Sequence, residues 1–251
     1  MALDETILEN FLDGKVPPTL RLYNFAPPAV SVGYAQKMSA ADLRKLTDLG
    51  FEVVRRPSGG RAVLHMHDLT YAFIAPFENS SRDKSSWALP NGILPAYKLI
   101  CQALIESIAR LGISLELGKS QSPHRRGLPD CFTTITAADL HYNGEKIVGS
   151  AQLRRKWALL QHGSIILETE EFELAQLLND NRAAPNIPAT RRRGLFDIAG
   201  RSFTDHELGS AFKNGFEKTF GLSFVEGQLT SKEIEEARTK APDYGVAMDI
   251  E

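Results

Sequence analysis

Apolar residues recur at helical spacing over Leu3, Ile7, Leu8, Phe11 and Leu12, which predicts a short amphipathic helix stopped by Gly14. Two extended pieces follow at 20–23 and 29–34, parted by the breaker Pro27-Pro28. Ser39 can cap a helix that runs to Leu49, with Gly50 as its left-handed stop. Residues 51–55, 62–64 and 69–74 read as strands, and 77–91 as a polar surface loop. Ile93, Ala96, Tyr97, Ile100, Leu104, Ile108 and Leu111 mark one face of the longest predicted helix, which Gly112 closes.

After a polar loop at 118–130, residues 133–136 look extended. The clearest hairpin joins 139–142 to 145–152 through Asn143-Gly144, because that dipeptide supplies the positive φ angles of a type I′ turn. Residues 157–167 supply another strand, and 170–178 a helix. Thr204-Asp205-His206-Glu207 and Thr230-Ser231-Lys232-Glu233 are capping boxes that open two further helices, ending near Gly221 and Ala241. Strands joined by tight turns, alternating irregularly with helices, predict an α+β domain around a largely antiparallel central sheet flanked by helices. No repeat or linker divides the 251 residues, so a single domain over 1–251 is expected, with 226–251 as a C-terminal helix and tail.

Hydrophobic residues make up 43% and charged residues 24%, an ordinary globular balance, and the net charge of −2 creates no global field for nucleic acid. Cys101 and Cys131 are too few for a disulfide framework and suit a reducing cytosol. The first residues carry no signal-peptide pattern. The longest apolar stretch, 92–111, is interrupted by Lys98, Glu106 and Arg110, which argues against a membrane span. A cytoplasmic protein is expected.

Arg55-Arg56-Pro57-Ser58-Gly59-Gly60-Arg61 joins two predicted strands. Its plain reading is a turn; two adjacent glycines also permit close backbone approach to a ligand. Neither the dinucleotide nor the phosphate-loop fingerprint is met. His65 and His67 alternate and would share a face on a strand, yet no further ligand cluster points to a metal. His162 sits amid apolar residues, where a satisfied core histidine is the default and a ligand contact the second reading. Cys101, on the apolar face of a predicted helix, reads as an inert packed thiol. Cys131 ends a polar loop and could pair with Lys146 for acyl transfer; the alternative is a half-buried cysteine and a solvent-facing lysine. Arg191-Arg192-Arg193 reads as a solvated charge run, or as a dock for an acidic partner.

Two stretches read together narrow these choices. Residues 55–65 with Leu69-Thr70-Tyr71, and Gly144-Glu145-Lys146-Ile147-Val148-Gly149-Ser150-Ala151-Gln152 with Leu160-Gln161-His162-Gly163-Ser164-Ile165, resemble the two signatures of the biotin/lipoate ligase and octanoyltransferase family. Arg61, where ligases usually carry a third glycine, and the pair Cys131-Phe132 ahead of Lys146 resemble the LipM-type octanoyltransferases. The pattern departs at Met66, where aspartate is usual, and at the ending Asp243-Tyr244-Gly245-Val246. The chain also opens where relatives usually carry a preceding strand, which implies a shortened start or a lost sheet edge.

The resemblance implies a class II aminoacyl-tRNA synthetase/biotin ligase-like fold. It implies that Cys131 takes octanoate from octanoyl–acyl carrier protein as a thioester, with Lys146 as base and then acid. The acceptor would be a lysine of a lipoyl domain or glycine-cleavage H protein. Arg56, Ser58, Gly59, Gly60, Arg61, His65, Gly149, Ser150 and His162 would line the acyl slot. No metal, cofactor or ATP is implied, because the thioester arrives activated, and no nucleic acid or membrane partner is expected. The alternatives are an ATP-dependent lipoate–protein ligase and a non-catalytic module that binds acyl carrier protein.

Overall fold

The strand Asp68–Pro76 is buried at every position. A strand with one wet face alternates, so this one must be covered on both sides. In the computed structural model, which describes residues 1–78, 87–118, 139–169, 174 and 193–246, it lies inside a six-stranded sheet. In chain order the strands are β1 (Thr19–Tyr23), β2 (Ala29–Val32), β3 (Glu52–Arg55), β4 (Val63–His65), β5 (Asp68–Pro76), β6 (Glu116–Leu117), β7 (Leu140–Tyr142), β8 (Glu145–Arg155) and β9 (Ala158–Ile166). The helices are α1 (Ala2–Leu12), α2 (Ala40–Asp48), α3 (Ile93–Ala109), α4 (Leu195–Ala199), α5 (Asp205–Phe220) and α6 (Ser231–Lys240).

The large sheet runs β1-β5-β9-β8-β7-β6 and is antiparallel throughout. On one face, Leu69, Tyr71, Phe73 and Ala75 of β5 pack with Ile100 and Leu104 of α3 and Phe212 and Phe216 of α5. On the other, Ala72, Ile74 and Leu160 meet Ile7, Leu8 and Phe11 of α1. The expected α+β architecture with an antiparallel central sheet is therefore present. A second, three-stranded sheet, β3-β2-β4, accompanies it, with β2–β3 parallel and β2–β4 antiparallel. Helix α2 crosses over between the parallel pair, and its Leu46 joins Val30, Val32 and Leu64 in a separate core.

Local chemistry sets the boundaries. Ser39 accepts a hydrogen bond from the Asp42 amide, and both predicted capping boxes form. Asn143 and Gly144 take φ of 49° and 83°, as the hairpin between β7 and β8 requires.

Several expectations change. Ile93 is 68% exposed, so the buried face of α3 starts at Ala96; the first turn projects beyond the core. The strand expected over 29–34 stops at Val32, where the chain turns and the Tyr34 amide bonds the Ser58 carbonyl. The described part of the expected loop at 77–91 is not all surface: Leu89 is fully buried, and Trp87 packs on Phe73 and Phe220. His65 and His67 do not share a face, because β4 ends at His65 and the chain turns before β5; His65 is buried and His67 exposed. The expected extended piece at 133–136, the loop beyond Gly118 and all of the 170–178 helix except Leu174 lie outside the described residues.

Candidate active site

The Arg56–Arg61 turn between β3 and β4 is closed from inside by a buried guanidinium. Arg56 donates to the carbonyl and Oγ of Ser31, both at 2.7 Å, and to the carbonyls of Arg61 (2.6 Å) and Gly59 (3.3 Å). A rigid planar fork of donors suits that task, where an ammonium would not. Gly60 adopts φ of +98°, and a Cβ on Gly33 would lie 2.0 Å from the Gly60 carbonyl oxygen. The turn therefore rests directly on β2's end.

Two histidines continue the polar wall. His65 Nε2 lies 2.7 Å from Ser31 Oγ, and its Nδ1 lies 2.8 Å from Asp68 Oδ2, which also accepts from Thr70 Oγ1 at 3.2 Å. A carboxylate can only accept, so Nδ1 directs its proton at Asp68, while the Ser31 hydroxyl accepts from Arg56 and lies against Nε2. The second histidine, His162 on β9, holds Ser58 Oγ at 2.5 Å through Nε2 and ties the turn to the large sheet. Its Nδ1 faces Asp4 Oδ2 at 3.8 Å and has no hydrogen-bond partner among the described residues. Burial pulls the His162 pKa below its ordinary value, and the Asp4 carboxylate opposes that only in part. Burial would raise the Asp4 carboxyl; the neighbouring His162 ring and Arg21 guanidinium outweigh it and hold Asp4 well below the carboxylate range. Asp4 receives hydrogen bonds from Arg21 at 2.5 Å and Tyr23 at 2.7 Å.

Between these side chains and the middle of β8 and β9 lies a cavity of about 370 Å³, its solvent-open mouth included. Of the residues singled out in the sequence, Arg56, Gly60, His65, Gly149, Ser150 and His162 line it. Ser58 lies behind His162, Gly59 is exposed, and Arg61 contributes the carbonyl that anchors Arg56. Gly163, opposite Ser150 on β9, is needed sterically: a Cβ there would meet the Gly149 carbonyl at 2.4 Å and Ser150 Oγ at 2.7 Å. Its absence lets Tyr71 donate to Ser150 Oγ at 2.7 Å.

Lys146, near the start of β8, does not point to solvent. Its Nζ lies 2.8 Å from Asp139 Oδ1, and the two side chains are only 3% and 5% exposed. The register shifts between Leu140 and His141, so that Leu140 faces Val148 while His141 faces Lys146, and Ile147 and Val148 both enter the larger core. Such a bulge re-aims the neighbouring side chain. Cys101 is buried, and desolvation with the nearby Asp139 carboxylate pushes its thiol up to about 12, as an inert packing group requires. Cys131 lies outside the described residues. Of the arginine run, Arg193 is described; it pairs with Glu145 at 3.0 Å.

Sequence reading missed Asp4, Ser31, Asp68, Thr70 and Asp139. Ser31 carried one signal, a hydroxyl in the middle of an otherwise apolar strand. The others depend on which strands become neighbours.

A glycine-walled cavity roofed by a small sheet, with a buried lysine on the same strand as its floor, sets the class of protein: the fold is that of lipoate–protein ligases. A crystal structure of lipoate-protein ligase A bound with ATP superimposes with a TM-score of 0.73 at 26% identity, covering 95% of this chain and 87% of that one. Residues 1–217 match the lipoyl protein ligase A/B catalytic domain, and the chain belongs to that family. It is 38% identical to the octanoyltransferase LipM of Symbiobacterium thermophilum over 95% of this chain and 88% of that protein. It is 34% identical to the LipM of Geobacillus kaustophilus over 93% and 86%. The chain is an acyltransferase of this family.

Proposed function

We propose that this chain moves octanoate from octanoyl–acyl carrier protein, through a thioester on Cys131, to the ε-amine of a lysine on a lipoyl domain or glycine-cleavage H protein. The observation that carries the reading is Lys146, buried and ion-paired on the strand that also supplies Gly149 and Ser150 to the cavity. An amine in a dry, fixed position can move protons to and from sulfur and nitrogen, and such transfer contributes about 10²–10⁴-fold to rate. Arg56, His65 and His162 shape one end of the acyl slot, while Gly60 and Gly149 leave room for the chain. The Cys131 thiolate attacks the incoming thioester, the carrier thiol leaves, and the acceptor amine then displaces the cysteine.

The test is transfer itself. Wild-type protein, octanoyl–acyl carrier protein and a lipoyl domain are expected to give an octanoylated domain without ATP. A Cys131→Ser variant that transfers as fast as the wild type would overturn the covalent route. A second reading, ATP-dependent lipoate ligation, draws on the likeness to the ATP-bound ligase; it predicts adenylate formation from free lipoate and ATP, independent of Cys131. A passive carrier-binding module is disfavoured, since it gives no reason to bury and pair Lys146.

A further inference from the structure

Lys146 and Asp139 place opposite charges where water hardly reaches, 2.8 Å apart and at most 5% exposed. Burying such a pair sacrifices the hydration of both ions, and apolar replacements are often as stable, so stability alone does not explain it. Its construction is local. Asp139 immediately precedes β7, Lys146 is in β8, and the Asn143-Gly144 turn fixes their register. The Asp139 backbone is pinned separately, its carbonyl accepting from the Gly118 amide at 2.8 Å. Its carboxylate also lies close enough to α3 to help push up the Tyr97 hydroxyl and the Cys101 thiol, in both cases after burial. The hairpin thus holds a carboxylate against the lysine from one side, under a helix that keeps the pair dry.

We propose that Asp139 is a positioning residue that presents Lys146 to the reaction as an ammonium, so that Lys146 acts first as an acid and only then as a base. This rests on the acyl-transfer reading above and fixes the order of its proton steps. In the first half-reaction the enzyme thiolate forms a C–S bond to the acyl carbon, the carrier C–S bond breaks, and the Lys146 ammonium gives its proton to the departing sulfur. Lys146 is left neutral. In the second, the acceptor amine forms the amide bond, the enzyme C–S bond breaks to restore the thiolate, and neutral Lys146 takes the amine's proton. Charge and protons return to the start, with no co-reactant. Asp139 touches neither acyl group nor sulfur in this scheme; it acts through Lys146.

The experiment measures the first half-reaction alone, as thiol released from octanoyl-pantetheine, across a pH series. Removing the partner carboxylate disfavours a buried ammonium. Asp139→Asn is therefore expected to slow thiol release on the order of 10²-fold, the lower end of general-acid contributions, and to move the high-pH limb of the profile to lower pH. Asp139→Glu should restore part of both. Should Asp139→Asn fail to fold, Asp139→Glu alone carries the test, with a reduced rate and a displaced limb expected at unchanged Tm. A folded Asp139→Asn or Asp139→Glu protein with the wild-type rate and limb overturns the proposal, as does a loss of rate with no movement of the limb. Absence of thiol release by the wild type would instead overturn the acyl-transfer reading.

Discussion

Glycine at 163 is dictated by neighbours that cannot retreat. The Gly149 carbonyl belongs to the β8 backbone, 2.4 Å from where a Cβ would stand. Gly163→Ala is expected to cost about 1–3 kcal/mol, the usual range for overpacking, and to break the Tyr71–Ser150 bond; urea denaturation checks the first and activity the second. The buried histidine gives a pH signature. Because burial lowers the folded-state pKa of His162 below its ordinary 6.5, the folded chain binds fewer protons than the unfolded one. Its contribution to stability is complete above that ordinary value and is lost as pH falls below it. Tm should therefore drop between pH 7 and 5, and His162→Gln should flatten that part of the profile. Cys101 works in the opposite sense: its thiol, raised to about 12 by burial, should stay unmodified by iodoacetamide at pH 8 in the folded protein.

Elements with strong local signals were legible. The Ser39, Thr204 and Thr230 caps and the Asn143-Gly144 turn each state their conformation in two to four residues, so their helices and hairpin stand where the pattern put them. Thr204→Ala should cost about 1 kcal/mol by removing the hydroxyl that accepts from the Glu207 amide, while the backbone amide at 204 keeps its bond to the Glu207 carboxylate; a shift in Tm measures it. The three-stranded sheet was not legible. Its strands at 29–32, 52–55 and 63–65 look like any others, and nothing local says that β2 pairs β3 in parallel across α2. The same blindness hid the Ser31–His65–Asp68 chain, whose members come from three different strands. Lys146 could be named from its motif, but its burial depends on a register shift and on Asp139, which periodicity does not encode.

At the scale of the molecule, the family match ends at residue 217, yet α6 beyond it is tied to α1. Asn10 donates to Glu236 at 3.0 Å, Lys240 pairs with Glu9, and Tyr244 bonds Glu5. Since α1 also carries Asp4 behind His162, the C-terminal helix braces the cavity from outside. Deleting 226–251 is expected to remove about 2 kcal/mol of stability, which at this chain length lowers Tm by roughly 4–8 °C. The proposed transfer needs an acyl pocket between the two sheets that Cys131 and Lys146 serve. Its most direct measurement is the intact mass of the protein after incubation with octanoyl–acyl carrier protein, followed by peptide mapping. One octanoyl group is expected, on Cys131, and it should disappear when a lipoyl domain is added. A protein that transfers octanoate while never carrying it, or carries it on another residue, would contradict that expectation.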